Sequence, residues 1–211
     1  MLTLIMLFVL FVYSIWHSAP SNYLESLKEK YKLISVDRLF DYTVPLLSAL
    51  IVNLAFFQDY KIGTYEFLSY YHSDTFNRSI LYRWLFVVIP FCIGTLISAS
   101  VYYSHFFDLT GLLLSIRFLP NIFFLSALML CSTVVAKNSY VGLFVTCLYF
   151  VLDLFSEGRF FKLFSIGANM NNVYYSISSQ YYLLNRFLVC LAAVCFLFIS
   201  VYHRRKKRKW V

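Results

Sequence analysis

The chain has 211 residues, of which 61% are apolar and only 13% are charged, and its formal net charge is +8. Soluble domains carry about 45–50% apolar and about 25% charged residues, so this composition indicates an integral membrane protein and excludes a large soluble domain. The positive charge does not indicate nucleic-acid binding, because six of the basic side chains lie together in 204–209. Beside an apolar segment, such a basic tail is an orientation signal and a contact for membrane lipids.

Long apolar runs predict an all-α membrane protein with six transmembrane helices, since a spanning helix needs about 20 mostly apolar residues. The six spans form a single domain, 1–203, and the basic tail, 204–211, follows it. The predicted spans cover residues 2–17, 42–57, 84–103, 112–136, 140–155 and 187–202.

The first apolar run is either a retained span or a cleaved signal peptide. Ser18 and Ala19 are small, as a cleavage site requires. However, no Lys or Arg precedes the run, and His17 occupies a position where a cleavage site has a small residue. We therefore favour a retained span.

Polar side chains interrupt the predicted spans at a few positions. Arg117 and Asp153 lie near the ends of the fourth and fifth spans, where a side chain can reach water, so we expect interface anchors, with a substrate path as the alternative. Asn53 is interpreted as a helix-packing hydrogen bond, with a substrate contact as the alternative. Asn121, beside Pro120 at a predicted interruption of the fourth span, joins Asn53 and Asp153 as the candidate substrate path.

The five cysteines all lie in apolar runs without a CxxC pair, which favours free packed thiols over a metal site or disulfides. The four histidines lie near span ends without ligand spacing. The spans also lack an acidic pair, His-Glu-x-x-His and Gly-x-Ser-x-Gly. We therefore expect no bound metal or cofactor and no catalytic site in the chain itself.

The orientation follows from the rule that basic residues stay on the cytoplasmic side. The tail places the C-terminus inside, and six spans then place the N-terminus and segment 58–83 inside, with 21–41 and 156–185 outside. Outside the tail, however, the basic residues favour the opposite orientation. Those predicted outside are Lys28, Lys30, Lys32, Arg38, Arg159, Lys162 and Arg186, against Lys61, Arg78, Arg83 and Lys137 inside.

Segment 58–83 is charged, turn-bearing and amphipathic, and it lies between two apolar runs. Gly63 permits a sharp change of direction, Thr64 can cap a new helix, and Glu66 near that N-terminus is favoured by the helix dipole. Phe67, Leu68 and Tyr71 supply apolar contacts for a partner groove. An ordinary solvated loop is the alternative.

Two helix starts are also predicted. Asp74 begins the third helix, whose inner end Arg78 and Arg83 hold at the headgroups, and Lys137-Asn138 makes a tight turn into the fifth. Segment 156–185 is predicted to be irregular. Its aromatic and polar composition is typical of the membrane interface.

The sequence Asp59-Tyr-Lys61-Ile-Gly63-Thr64-Tyr-Glu66-Phe-Leu68-Ser69 follows the second predicted span, and a basic residue opens the third. It resembles the first cytoplasmic loop of permease subunits of type 2 ATP-binding-cassette exporters, where an acidic residue precedes Gly-Thr-x-Glu-Leu-Leu. The resemblance implies six helices, a cytoplasmic coupling helix between spans 2 and 3, an outer re-entrant or amphipathic hairpin between spans 5 and 6, and a dimer. The ATPase-coupling residues that it implies are Asp59, Lys61, Gly63, Thr64, Glu66, Phe67, Leu68 and Tyr71.

The resemblance implies a multi-pass permease in the cell membrane with both termini in the cytoplasm. A path lined by Tyr and Phe with few charges would favour an amphiphile as the exported substrate, such as a lipid, a hydrophobic drug or a membrane-active peptide. The permease's partners would be a cytosolic ATPase, which binds ATP and Mg, and a second copy or a similar permease, with no nucleic acid. Two alternatives stay open: an intramembrane enzyme, and a non-transporting immunity, sensor or assembly subunit that docks a cytosolic partner through the same loop.

Overall fold

The computed structural model describes residues 2–17, 38–60, 75–104, 111–156, 158–167 and 179–206. Within these ranges the protein is helical, without a β-strand, and forms six α-helices. A π-helical turn, Arg38–Thr43, leads into the second helix, and a 3-10 turn, Lys162–Phe164, follows the fifth. The helices are α1 Leu2–Trp16, α2 Val44–Phe57, α3 Thr75–Tyr102, α4 Gly111–Ala136, α5 Ser139–Phe155 and α6 Ser179–Lys206.

Four helical segments are long and apolar enough to cross a membrane: Leu39–Phe57, Ile80–Tyr102, Leu114–Ala136 and Tyr181–Tyr202. The other two helices are apolar but short, with 15 residues in α1 and 17 in α5. At 1.5 Å per residue they measure about 23 Å and about 26 Å, against about 30 Å for a bilayer's hydrocarbon layer. Four helices are thus long and apolar enough to cross a membrane, which is compatible with a multi-pass membrane protein, and the predicted six-span topology is matched only as six helices.

Helix α4 is the centre of the bundle. In its apolar stretch 72% of the residues are buried, compared with 28% in α6. It packs against α2, α3, α5 and α6, while α1 lies against α3. A helix that is apolar around its whole circumference is expected to be enclosed by others, and the buried side chains of α4 follow that rule. They include Phe118, Ile122, Leu125 and Met129.

Helices α2 to α6 alternate in direction. Near the start of α2, the Phe40 ring lies 5.4 Å from that of Tyr102 at the end of α3. Near the end of α2, Asn53 is hydrogen-bonded to Ser139 at the start of α5. The bundle therefore has two ends, called here the Asp41 end, where α2, α4 and α6 begin, and the Asp59 end, where α3 and α5 begin.

Several helix boundaries match the sequence analysis. Helix α3 begins at Thr75, directly after Asp74, which itself lies outside the described residues. The tight turn before α5 is confirmed, with Lys137 at a φ of 54° and the Asn138 side chain accepting a hydrogen bond from the Tyr140 N–H at 2.8 Å.

Two boundary predictions are wrong. Residues 179–185, expected to be irregular, belong to α6, which begins at Ser179. Helix α4 runs unbroken through Pro120, where an interruption was predicted. Neighbouring helices support a transmembrane helix around proline, so the lost backbone hydrogen bond does not end it.

Candidate functional site

The Asp59 end carries the described part of the predicted coupling segment. The Arg83 guanidinium on α3 forms an ion pair with the Asp59 carboxylate and donates to the Ala55 carbonyl of α2. It also lies 4.8 Å from the centre of the Phe56 ring. Arg83 therefore joins α3 to the C-terminal end of α2.

This ion pair is partly exposed, at 39% for the Arg83 side chain and 16% for Asp59. Exposed ion pairs contribute about 0–1 kcal/mol to stability. Its consequence is geometric, because it holds together the two helices from which segment 61–74 departs. The other predicted coupling residues lie outside the described residues: Lys61, Gly63, Thr64, Glu66, Phe67, Leu68 and Tyr71.

The Asp41 end contains a network of buried polar side chains. Asp41 lies in the π-helical turn before α2, and its carboxylate accepts from Arg117 of α4 at 2.9 Å. Both side chains are inside the bundle, with exposures of 0% and 2%. Asn121, one turn after Arg117 on the same face of α4, donates to the Asp41 backbone carbonyl at 3.3 Å.

Arg186 extends the network from α4 to α6. Its guanidinium donates to the Arg117 carbonyl at 3.3 Å, to the Asn121 side-chain oxygen, and to the Ile166 carbonyl at 3.1 Å. It also lies 4.7 Å from the centre of the Tyr182 ring, one turn earlier on α6. Three hydrogen bonds and a ring contact hold this buried cation from three parts of the chain, while its Nε makes no hydrogen bond within the described residues.

Asp153, near the end of α5, holds the turn that follows the 3-10 helix. Its carboxylate accepts from the Ser165 hydroxyl at 3.1 Å, the Ile166 N–H at 3.0 Å and the Gly167 N–H at 3.4 Å. From α6, the Asn185 amide donates to the Ser165 carbonyl at 2.9 Å. Residues 165–167 are therefore held from α5 and from α6.

Gly167 is packed too closely for any side chain. A Cβ at this position would overlap the phenol of Tyr42, with its Cε2 only 2.6 Å away. This contact brings the start of α2 against the turn.

Together, these contacts form a polar network that joins α2, α4, α5, α6 and the 165–167 turn. Its side chains are those of Asp41, Arg117, Asn121, Asp153, Asn185 and Arg186.

The two carboxylates and two guanidiniums of the network are equal in number and opposite in charge. Buried charges persist when they are paired or hydrogen-bonded: Asp41 and Arg117 form an ion pair, and Asp153 and Arg186 are held by hydrogen bonds to uncharged groups. The network offers no exposed nucleophile or base, so its chemistry is that of a cross-link between helices. Among the residues that the structure describes, no group of three His, Cys, Asp or Glu is close enough to hold a metal ion.

The candidate substrate path does not form a shared site. Asn121 and Asp153 meet in the polar network, because Arg186 and the 165–167 turn connect them. Asn53 lies at the Asp59 end, where it accepts from the Ser139 hydroxyl, so its interpretation as a helix-packing hydrogen bond is confirmed. All three side chains are buried.

The prediction that Arg117 and Asp153 reach water as interface anchors is wrong. Their exposures are 2% and 0%, because Asp41 and the 165–167 turn supply partners inside the bundle. Asp41 and Arg186 were predicted to lie outside the spans, and their part in the network was not predicted. A signal existed, since Asp41, Arg117 and Arg186 all come near the start of helices that run in the same direction.

The cysteines are free thiols, as the sequence indicated. Cys92 and Cys131 are buried, Cys147 and Cys190 are half-buried, and Cys195 is exposed.

Comparisons of the chain with protein-family models, with curated proteins and with solved structures found no match. The fold and the network thus define an all-helical protein whose four long apolar helices fit a multi-pass membrane protein.

Proposed function

We propose that this chain is the membrane permease subunit of an ATP-driven exporter, moved by a separate cytosolic ATPase. The observation that carries the proposal is the Asp59–Arg83 ion pair, which joins α2 and α3 beside the charged, amphipathic segment. A force applied to segment 61–74 acts on both helices at once through this bridge. That is the mechanical requirement of a coupling segment.

In the proposed mechanism the ATPase binds the coupling segment through Lys61, Gly63, Thr64, Glu66 and the neighbouring apolar side chains. ATP binding closes the ATPase, which then favours a tilted arrangement of α2 and α3. A partner shifts such an equilibrium only by binding the two arrangements with different affinity. The polar network at the Asp41 end makes α2 move together with α4, α5 and α6.

The substrate path is proposed to lie between two copies of the chain, or between this chain and a similar one. The support is that Asn53, Asn121 and Asp153 are buried and hydrogen-bonded within one bundle, so they do not face an open path there. Exposed apolar side chains on α5 and α6 favour an amphiphile as the exported substrate; they include Phe144, Leu148, Phe187, Leu191 and Phe198. Both termini and the Asp59 end are proposed to be cytoplasmic.

The test uses the affinity-tagged chain purified from the membranes of its own host. In a background without the five native cysteines, we expect an ATPase to co-purify and ATP to change the fluorescence of a label at Arg159→Cys, at the opposite end of the bundle. Gly63→Pro with Glu66→Lys should abolish the label's response while the protein stays inserted. Lys137→Gln, which removes a cation at the same end but outside the segment, is the control and should respond normally.

A normal response to ATP in the Gly63→Pro/Glu66→Lys variant contradicts the proposal. So does a tag beside Tyr70 that is reached from outside intact cells, because the coupling segment would then face away from the ATPase.

The Asp59–Arg83 bridge gives a second, sharper variant. Arg83→Gln leaves the ATPase-binding segment unchanged, so the ATPase should still co-purify and hydrolyse ATP. The fluorescence response at Arg159→Cys should fall, since α2 and α3 are no longer joined. Measuring ATP hydrolysis and fluorescence on the same sample separates lost coupling from lost docking. An unchanged fluorescence response would show that the Asp59–Arg83 ion pair does not couple the movement of the segment to the helices.

A non-transporting immunity, sensor or assembly subunit is the second candidate function. It is favoured by one observation, that the three polar path candidates are all enclosed in the bundle. The two candidates differ in their response to amphiphiles. A transporter's ATP hydrolysis rises with an added substrate, whereas a non-transporting subunit binds the ATPase without that stimulation.

A further inference from the structure

The turn after α5 exposes cations and aromatic rings side by side. The side chains of Phe155, Phe160 and Phe164 are 80%, 68% and 45% exposed. Arg159 and Lys162 are exposed between them. These five side chains are called here the 155–164 patch. The stretch also contains Glu157, which lies outside the described residues.

The backbone beneath the patch is fixed by hydrogen bonds. The Gly158 N–H donates to the Asp153 carbonyl at 3.1 Å, and the Lys162 N–H donates to the Gly158 carbonyl at 2.9 Å. The Tyr149 hydroxyl donates to the Phe164 carbonyl at 2.5 Å. The exposed side chains are therefore presented in a set arrangement before any partner binds, which lowers the entropy lost on binding.

Lys162 occupies a backbone conformation that lysine adopts at a steric cost. Its φ is 49°, in the left-handed region where glycine or asparagine fits better. Residues held in such conformations cluster at binding sites, where the side chain is needed. The strained backbone at Lys162 therefore marks this turn as a candidate binding site.

The length of α5 sets the depth of the patch. Its 17 residues measure about 26 Å, and a hydrocarbon layer of about 30 Å can thin around a short helix, so an α5 that crosses the layer ends at the boundary, near Phe155. The next few residues then lie in the headgroup layer. There, a shallow groove lined by Phe155, Ser156, Arg159 and Phe160 opens outward.

We infer that the 155–164 patch binds the headgroup of an anionic phospholipid. Arg159 and Lys162 contact the phosphate, while Phe155 and Phe160 pack against the glycerol and upper acyl carbons. The exposed rings distinguish this occupant from free phosphate, which has no apolar part to cover them. Their position at the end of an apolar helix favours a lipid over an acidic peptide that arrives from water.

The experiment places the photoreactive residue p-benzoylphenylalanine at Phe160 and reconstitutes the full chain into vesicles. The vesicles contain one part phosphatidylglycerol to three parts phosphatidylcholine. Mass spectrometry of the lipid adducts after irradiation measures which lipid lies at the patch. We expect phosphatidylglycerol to be enriched about fivefold over its bulk fraction, the factor expected from one fully effective surface cation. Arg159→Gln with Lys162→Gln should return the adducts to the bulk ratio.

Two controls separate the patch from general attraction of lipid to a cationic protein. Lys207→Gln with Lys209→Gln removes the same charge from the tail and should leave the enrichment unchanged. The same probe placed at Ile93, exposed near the middle of α3, should report the bulk ratio. Adducts at the bulk ratio in the unsubstituted patch, enrichment that survives Arg159→Gln/Lys162→Gln, or adducts only with protein would overturn the inference. The vesicles contain no ATPase, so the outcome is independent of the proposed export function.

Discussion

Asp41 and Arg117 form an ion pair that is shielded from water, with exposures of 0% and 2%. Removing one partner of such a pair leaves a charge without compensation in a dry interior, which costs about 3–5 kcal/mol. Arg117→Leu or Asp41→Asn alone should therefore lower the free energy of unfolding by about 3 kcal/mol or more. Titration with sodium dodecyl sulfate in mixed micelles measures this free energy.

The double variant, Asp41→Asn with Arg117→Leu, tests whether the loss comes from the pair itself. It should be less destabilised than the sum of the two single variants, by about 1–3 kcal/mol. Arg83→Gln is the matched control, because the Asp59–Arg83 pair is partly exposed and should change stability by less than about 1 kcal/mol. If the single variants of the buried pair lower the free energy of unfolding no more than Arg83→Gln does, the buried pair contributes little to stability.

The residues of the network could be found from the sequence only in part. Arg117, Asn121 and Asp153 stand out because they are polar within apolar runs. Their partners do not stand out, since Asp41 and Arg186 come at the edges of apolar runs, where charges are common. Tertiary contact decides the matter: Asp41 buries Arg117 instead of leaving it to extend to water.

Close contacts between helices depend on small residues. A Cβ at Gly142 of α5 would overlap the Thr133 hydroxyl of α4 and lie 3.0 Å from the Met129 carbonyl. A Cβ at Gly94 of α3 would instead meet the end of the Leu7 side chain, 2.6 Å away, which can rotate. Overpacking that backbone atoms resist costs about 1–3 kcal/mol. Gly142→Ala should therefore destabilise the protein by this amount, and Gly94→Ala by less.

The same detergent unfolding measurement checks the order of these two variants. Thr133→Ala added to Gly142→Ala should recover part of the loss, because it removes the hydroxyl but leaves the Met129 carbonyl in place. Equal effects of Gly94→Ala and Gly142→Ala would show that the α1–α3 contact is as rigid as the α4–α5 contact.

The positions of the helices were largely predictable, whereas their ends were not. Apolar runs located all six described helices, and Asp74 and Asn138 marked two starts. Helix α6 extends back to Ser179 through Asn185 and Arg186, which hydropathy counts as loop residues. Their side-chain N–H groups donate to α4 and to the 165–167 turn, a long-range arrangement that local sequence does not encode. The close contact at Gly142 was also missed, since one glycine in an apolar run has no distinctive pattern.

The number of membrane crossings is a property of the whole molecule, and it depends on the two short helices. Helix α5 is below the length of a typical span, but it packs against α4, a long apolar helix that runs antiparallel to it. A short apolar helix can cross where the bilayer thins around it. Two of the basic residues that favoured the opposite orientation, Arg159 and Lys162, lie just beyond α5, so their location is decided by whether α5 crosses.

Labelling of introduced cysteines determines whether α5 crosses the membrane. In a background without the five native cysteines, Lys137→Cys and Arg159→Cys place thiols before and after α5. With the Asp59 end in the cytoplasm, a membrane-impermeant maleimide should label Arg159→Cys in intact cells. It should label Lys137→Cys only after permeabilisation, because about 26 Å of apolar helix then separates two aqueous faces. Labelling of both thiols from the same side would show that α5 does not cross, and labelling in the reverse pattern would place the Asp59 end and its coupling segment outside.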